Sequence, residues 1–175
     1  MSRPDLITRK WVKKQLNDIE FPVSTAGFPD DYLFIYKTDE QTLAVNDTPE
    51  DITLNNQVVL GSWGHTSGFA PMACGQPGTY RINAFVSFRK DLGTSDRTIA
   101  IALRKDAVEI PGSARAMEMM DEEERDSLHT DCIVVVADGE NIAIQASVED
   151  TDVDIATIAS PFIEVTASIT IVRLA

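Results

Sequence analysis

The sequence predicts an all-β protein, an antiparallel β-sandwich with a short α-helix near its N-terminus. Residues 163–173 and 79–88 each alternate apolar residues with hydroxyl, amide or charged ones, which is the period-two pattern of a strand with one covered face. Short runs divided by glycine and proline make up most of the chain from residue 32 onward. Strands of this kind belong to antiparallel sheets that bury one face.

Further strands follow from the same alternation. The candidates are residues 32–36, 42–46, 57–61, 98–105, 130–137 and 141–148, and also 114–120, although Met, Ala and Glu there favour helix. We expect 98–105 to pair back on 79–88. Residues 130–137 and 141–148 should form a hairpin through Asp138-Gly139, because this dipeptide supports the positive φ angles of a tight turn.

Two connections are also expected from the pattern. The stretch 61–78 is rich in glycine and proline and should loop over the core. The final strand should lie between earlier strands, so that the fold cannot close until the whole chain is present.

The first thirty residues differ from the rest of the chain. Residues 6–18 lack glycine and proline, and Asp5 can cap the first turn of a helix there. One side of this helix would carry an apolar stripe, which consists of Ile7, Trp11, Val12, Leu16 and Ile19. A helix of about three turns is marginal alone in water. The stripe should therefore pack on the same helix in sister subunits, on its own domain or on a different protein.

The pattern divides the chain into three parts. These are an N-terminal anchoring helix (1–20), a linker with the first strand (21–39) and a head domain (40–175). Residues 24–31 contain Gly27 and Pro29 and read as extended linker.

Bulk composition limits the classes of partner. The formal net charge is -13 and the isoelectric point is near 4.4, which argue against a nucleic-acid backbone or an anionic membrane surface as partner. No apolar run approaches the roughly 20 residues that span a bilayer, and the N-terminus lacks the apolar core of a signal peptide. We expect a protein that is made in a cytoplasm and does not insert into membranes.

The residues that usually carry catalysis are few and scattered. His65 and Ser67 share a loop, but no spacing supports a third member of a catalytic triad. His129 stands near Asp131 at the start of a predicted strand. The spacing of the two cysteines, Cys74 and Cys132, and of the two histidines, His65 and His129, matches no transition-metal site. Two free thiols are expected. We assign no catalytic or cofactor-binding residue and predict that the chain is not an enzyme.

Two weaker site hypotheses remain. Asp150, Asp152 and Asp154 alternate after a predicted strand and could supply oxygen ligands to calcium, or they could form a solvated acidic loop. Exposed aromatic rings would line a carbohydrate site, and Trp63, Phe69 and Tyr36 are the candidates. Their alternative is packing under the 61–78 loop.

Three segments in order resemble the C1q/TNF-like jelly roll. They are Gly-Thr-Tyr-Arg-Ile-Asn-Ala at 78–84, Asp-Gly-Glu-Asn-Ile-Ala-Ile at 138–144 and Ser-Pro-Phe-Ile at 160–163. They are similar to that family's Gly-x-Tyr strand opening, its Gly-Asp-x-Val-x-Leu strand and its Ser-x-Phe-x-Gly ending. The resemblance covers about residues 40–175 and implies a ten-strand sandwich that assembles as a compact homotrimer.

The layout of helix, linker and head resembles a bacteriophage virion accessory protein, such as a short tail fibre, a receptor-binding head or a capsid decoration protein. This resemblance implies a location in the virion, with other virion proteins bound through Ile7, Trp11, Val12 and Leu16. A host-surface glycan or protein would be a further partner. The alternative function is a carbohydrate-binding module that uses the loop aromatics.

Overall fold

The computed structural model describes residues 31–91, 95–106, 108–121, 124–157 and 165–175. The predicted helix at 6–18 and the segment 160–163 lie outside these residues. Every regular element in the described residues is a strand. The strands are β1 (Tyr32–Lys37), β2 (Gln41–Thr42), β3 (Glu50–Asp51), β4 (Asn56–Val59), β5 (Gly64–His65), β6 (Met72–Ala73), β7 (Gly78–Lys90), β8 (Arg97–Lys105), β9 (Val108–Glu109), β10 (Arg115–Met119), β11 (Arg125–Val136), β12 (Asn141–Val148), β13 (Val153–Ile155) and β14 (Ala167–Arg173).

The strands form two antiparallel sheets. In the first sheet the order is β2-β13-β7-β14-β1-β4, and β11 pairs with the other edge of β7. In the second sheet the order is β10-β8-β12-β6-β5, with β3 beside β12 and β9 beside β8. The prediction of an all-β antiparallel sandwich is confirmed. The final strand lies between β7 and β1, as expected from its alternation.

The core lies between the two sheets and is built from every second residue of the long strands. The predicted inward residues of β8 and β14 are buried, as are their counterparts on β1, β7 and β12. Examples that are fully buried are Leu33, Ile35, Ile82, Phe88, Ile99, Leu103, Ile144, Ile169 and Ile171. Each side chain of this size contributes about 1.5–3 kcal/mol when it leaves water, so the alternation drives the two sheets together.

Two predicted strand pairings are wrong. Strand β8 does not pair back on β7, because it belongs to the second sheet and pairs with β10, β12 and β9. Strands β11 and β12 form no hairpin ladder, since β11 pairs with β7 and β12 pairs with β8. In both cases the apolar faces of successive strands meet across the core instead of lying side by side in one sheet.

The turn at Asp138-Gly139 therefore carries the chain from one sheet to the other. Gly139 has a φ of 79°, as the sequence predicted. Its amide donates to the Cys74 carbonyl at 2.7 Å, and the Cys74 amide donates to the Glu140 carbonyl at 2.8 Å. The Ala137 amide donates to Glu140 Oε2 at 2.7 Å. The turn is thus bound to the 61–78 segment as well as to both strands.

Several boundaries also differ from the prediction. Of residues 42–46 only Thr42 is in a strand, because the chain turns at Asp47, which has a φ of 55°. Strand β11 begins at Arg125, five residues earlier than expected. The 61–78 segment contains β5 and β6 in addition to loops. The sequence-based division starts the head domain at residue 40, after β1. In the structure β1 lies inside the first sheet, between β14 and β4.

A buried carboxylate, that of Asp31, lies directly before β1. Asp31 is 1% exposed. Its Oδ1 accepts a hydrogen bond from the Ser62 amide at 2.7 Å, and its Oδ2 accepts from the Ser62 hydroxyl and from the Tyr80 hydroxyl, the latter at 3.1 Å. Its carbonyl accepts from the Arg173 amide at 3.0 Å. Asp31 thus joins the 61–78 segment, β7 and β14.

The surroundings of this carboxylate are closely packed. Gly61 has a φ of 55°, and a Cβ there would collide with Asp31 Oδ1. Burial raises the pKa of the Tyr80 phenol, with further contributions from Cys74 and Asp31. The phenol therefore stays protonated and remains a donor.

We expect Asp31→Asn to lower the free energy of unfolding by about 1–3 kcal/mol. The amide would present a buried donor to groups that are themselves donors, and an unsatisfied buried polar group costs about this much. Urea denaturation measures the change. Asp138→Asn, at an exposed turn position, is the matched control and should change stability by less than about 0.5 kcal/mol. Equal effects of the two substitutions would contradict the assignment.

Candidate interaction surfaces

The outer face of the first sheet combines aromatic, aliphatic and polar side chains in a regular grid. The strand registers place them in three rows across β1, β14, β7 and β11, and the rows are Tyr36-Ser168-Phe85-His129, Phe34-Thr170-Asn83-Asp131 and Tyr32-Val172-Arg81-Ile133. These residues alternate along each strand with inward positions, most of which are buried core residues, and they therefore point away from the core. We call this set the outer face.

The two borders of the outer face, which we call its β1 edge and its β11 edge, differ in chemistry, and β4 continues the sheet beyond β1. The β1 edge consists of aromatic rings, of which Phe34 and Tyr36 stack with their centroids 5.9 Å apart. The β11 edge carries His129, Asp131 and Ile133, and Ile133 is 65% exposed. Aromatic residues and exposed aliphatic residues on one face are typical of a surface that another protein covers.

Charged and aromatic groups on β7 and β11 are in contact with each other. Arg81 Nε donates to both carboxylate oxygens of Asp131, at 3.1 and 3.0 Å. These hydrogen bonds hold the pKa of the Asp131 carboxyl below its usual range. Next to this pair, the ring centroids of Phe85 and His129 lie 4.9 Å apart, with 49° between the ring planes.

The outer side of the second sheet has a different character. Ala100 and Ala116 face each other across β8 and β10, and Ala102 and Ala143 lie on the same side of the sheet. Small side chains offer little area to a partner. The first sheet therefore provides the stronger candidate for a protein interface.

Arginine side chains contact the predicted calcium ligands. Arg97 Nε lies 2.8 Å from Asp152 Oδ1, and Arg97 Nη2 lies 3.1 Å from Asp150 Oδ2. The hydrogen bond to Asp152 is the largest contribution that raises the pKa of Arg97. Asp154 lies on β13 beside a different guanidinium, with Arg89 Nη2 3.9 Å from its Oδ2. The structure thus divides the three carboxylates between two arginines.

Nearby acidic groups extend these two ionic clusters. Arg89 also pairs with Glu40 at 2.9 Å and with Asp91 at 3.2 Å. The Thr98 amide donates to Glu149 Oε2 at 2.9 Å, which lowers the pKa of that carboxyl. Among the residues that the structure describes, no group of three or more His, Cys, Asp or Glu side chains is arranged to hold a metal ion. The calcium site stays a prediction.

The loop histidine is held by two hydrogen bonds. His65 Nε2 lies 3.0 Å from the Phe69 carbonyl oxygen and therefore donates to it. His65 Nδ1 lies 2.8 Å from Gln57 Nε2 and accepts from it. The Ser67 hydroxyl donates to the Asn55 carbonyl at 2.7 Å. Because both ring nitrogens are engaged and Ser67 donates elsewhere, the structure does not bring His65 and Ser67 together as base and nucleophile.

The aromatic residues predicted to line a carbohydrate site lie in different environments. Trp63 is 3% exposed and packs edge-on against Tyr80, with centroids 5.1 Å apart. Its ring is therefore part of the core, which agrees with the packing alternative. Tyr36 belongs to the outer face. Phe69 is 60% exposed, so a ligand loop would depend on this residue alone.

Both cysteines are free thiols. The buried Cys74 Sγ donates to the Gln76 carbonyl at 3.0 Å. Cys132 is half-buried on β11, and burial raises the pKa of its thiol. A raised pKa keeps a thiol protonated and unreactive at neutral pH.

The predicted anchoring residues Ile7, Trp11, Val12 and Leu16 lie outside the described residues, and the anchoring role stays a prediction. The outer face, in contrast, was not identified from the sequence. Its signal is present in β1, where aromatic residues alternate with Leu33 and Ile35. A strand that is apolar on both sides is typical of an element with two covered faces.

We expect the thermal unfolding midpoint to be the same in millimolar calcium and in excess chelator. Arg97 already forms an ion pair with both Asp150 and Asp152 and offsets one of their two negative charges, which lowers the gain from a bound cation. Differential scanning calorimetry measures the midpoint. The Arg97→Gln variant, in which the two carboxylates lose this partner, is the control that should respond to calcium more than the native chain. A midpoint of the native chain that rises with calcium would establish the metal site.

Comparisons with known proteins give one structural likeness. No protein-family model matches the sequence, and no curated protein matches it. Among solved structures, the chain is similar to the globular domain of zebrafish complement 1qA protein, with a TM-score of 0.54 and 9% sequence identity. The similarity covers 83% of this chain and 98% of that chain. At this identity the likeness shows the fold alone, and it confirms the predicted C1q-like jelly roll.

Proposed function

We propose that the chain is a non-enzymatic structural protein of a bacteriophage virion, in which a trimeric jelly-roll head is displayed on the particle and anchored through the N-terminal segment. The observation that carries the trimer is the outer face of the first sheet. This face carries apolar surface outside the core of the sandwich. Phe34 and Tyr36 stack on β1, and Ile133 is exposed on β11. A second copy of the chain would cover this area.

The difference between the two edges supports a cyclic arrangement. A two-fold interface uses the same patch on both partners, whereas a head-to-tail interface joins two different patches and closes into a ring. The aromatic edge on β1 and the His129-Asp131-Ile133 edge on β11 are two different patches on one face. If the β1 edge of each copy meets the β11 edge of the next, a ring of three copies buries both edges of every copy.

The positions of the chain ends support display on a particle. Asp31, where the N-terminal segment joins the head, is hydrogen-bonded to Arg173 near the other end of the described chain. At the opposite end of the sandwich the Asp91 amide donates to the Asp152 carbonyl at 2.8 Å. An anchor that leaves beside Asp31 would turn the Asp91 and Asp152 end outward, toward a host-surface glycan or protein.

Within the described residues, no helix is long and apolar enough to cross a membrane. In the proposal, the segment before Asp31 attaches to other virion proteins.

We expect sedimentation at micromolar concentration to give a mass of about three chains. The Ile133→Glu variant should sediment as one chain, because the substitution places a charge where apolar contact is required. Val108→Glu is the matched control, since Val108 is 69% exposed on β9 of the second sheet and should leave the trimer intact. A native chain that is a stable, monodisperse monomer would remove the basis for the trimer.

We expect deletion of residues 1–20 to leave the head folded and to abolish incorporation into the particle. The apolar stripe of that segment could contribute several kcal/mol to docking, at about 25 cal/mol per Å² of apolar area removed from water. Particle loading is measured by the ratio of this protein to the major capsid protein, and the unfolding midpoint of the truncated head is the control. Loading of the truncated chain at the native ratio would contradict the anchoring role.

A further inference from the structure

The two histidines of the chain differ in how they are held. Both ring nitrogens of His65 are hydrogen-bonded, to Gln57 and to the Phe69 carbonyl. His129 lies exposed on the outer face, where its ring packs against that of Phe85, and within the described residues its ring nitrogens form no hydrogen bond. An imidazole exchanges its proton between about pH 5 and 8. His129 is therefore the histidine whose charge can change without breaking an internal hydrogen bond.

We propose that His129 makes the association of the outer face dependent on pH, so that the head assembles at neutral pH and separates when the imidazole gains a proton. This inference rests on the proposed trimer. In that assembly the β11 edge of one copy meets the β1 edge of the next. The described side chains on the outer face of β1 and β14 include no carboxylate that could pair with a charged imidazole.

The charged groups around His129 on its own chain do not offset the loss of assembly that protonation of His129 would cause. On β11, Asp131 is the acidic neighbour on the outer face, and its carboxylate is already paired with Arg81 of β7. Arg125 lies on the same side of β11, four positions before His129. Its guanidinium is a cation that disfavours a further positive charge.

Two opposing effects act on a protonated His129 in the assembly. Aromatic rings of the next copy would attract a cation, and the ring of Phe85 does so in the free chain as well. Phe85 therefore contributes nothing to the difference between the free and assembled states. Removing water from an ion costs more than an aromatic ring face returns, so the protonated form opposes assembly.

The direction of the pH dependence follows from this balance. Assembly favours the neutral imidazole. The contribution of His129 to trimer stability is therefore fully present above the pH range in which imidazoles gain their proton, and it is lost as the pH falls through that range. We expect the apparent association constant of the native chain to fall as the pH is lowered from 7.5 to 5.0, across the range in which imidazoles exchange their proton.

Sedimentation velocity of the native chain, His129→Asn, His129→Phe and His65→Asn at pH 7.5, 6.5 and 5.0 tests the proposal. The native chain and His65→Asn should change from three chains toward one as the pH falls. The two His129 variants should keep the same mass at all three values. The pKa of the Asp131 carboxyl lies below its usual range, so the Arg81 pair stays ionised at pH 5.0, and far-ultraviolet circular dichroism at each pH verifies that the head is folded.

The outcomes separate this inference from the proposed function. A native trimer whose mass is unchanged at pH 5.0 overturns the role of His129 and leaves the trimer in place. A native monomer at pH 7.5 overturns both. A pH response that persists in both His129 variants assigns the effect to other groups and overturns the inference. If neither variant assembles at pH 7.5, the native profile decides: loss of the trimer between pH 7.5 and 5.0 supports His129, and a trimer that persists at pH 5.0 contradicts it.

Discussion

The insertion of β14 between β1 and β7 is the constraint on which the rest of the first sheet depends. Ala167–Arg173 form hydrogen bonds with residues 32–37 on one side and with 80–86 on the other. The strand thereby connects the first described strand to the centre of the sheet, and Asp31 reinforces the junction through the Arg173 amide. Contacts between residues so distant in sequence are slow to form, so we infer that closure of this sheet is a late step of folding.

The sequence predicted the faces of the strands better than their partners. Alternation identified the inward residues of β7, β8 and β14, because period two depends only on whether a side chain is covered. The same pattern does not specify which strand lies beside which. The wrong pairing of β8 with β7, and of β11 with β12, came from the assumption that successive strands are neighbours in one sheet. In this fold successive strands often belong to opposite sheets.

The candidate sites were harder to predict for two physical reasons. The acidic residues at 150–154 are visible in the sequence, but Arg97, which contacts two of them, lies more than fifty positions away and meets them only through the packing of the sheets. The outer face is assembled from β1, β7, β11 and β14, so that no single segment displays it.

Lys90 points inward at the end of β7, where its Nζ donates to the Met120 carbonyl at 3.3 Å. The pattern of alternation does not distinguish such a residue from a surface lysine.

The turn at Asp138-Gly139 has a mechanical consequence. Because the turn links β11 in the first sheet to β12 in the second and is bound to Cys74, sliding of one sheet over the other would have to break its two backbone hydrogen bonds with Cys74 or change the φ of Gly139. The turn therefore opposes sliding of the two sheets at the end of the sandwich where Asp31 lies. A force applied through the segment before Asp31 would reach both sheets together, and the head would rotate as one body before its layers separate.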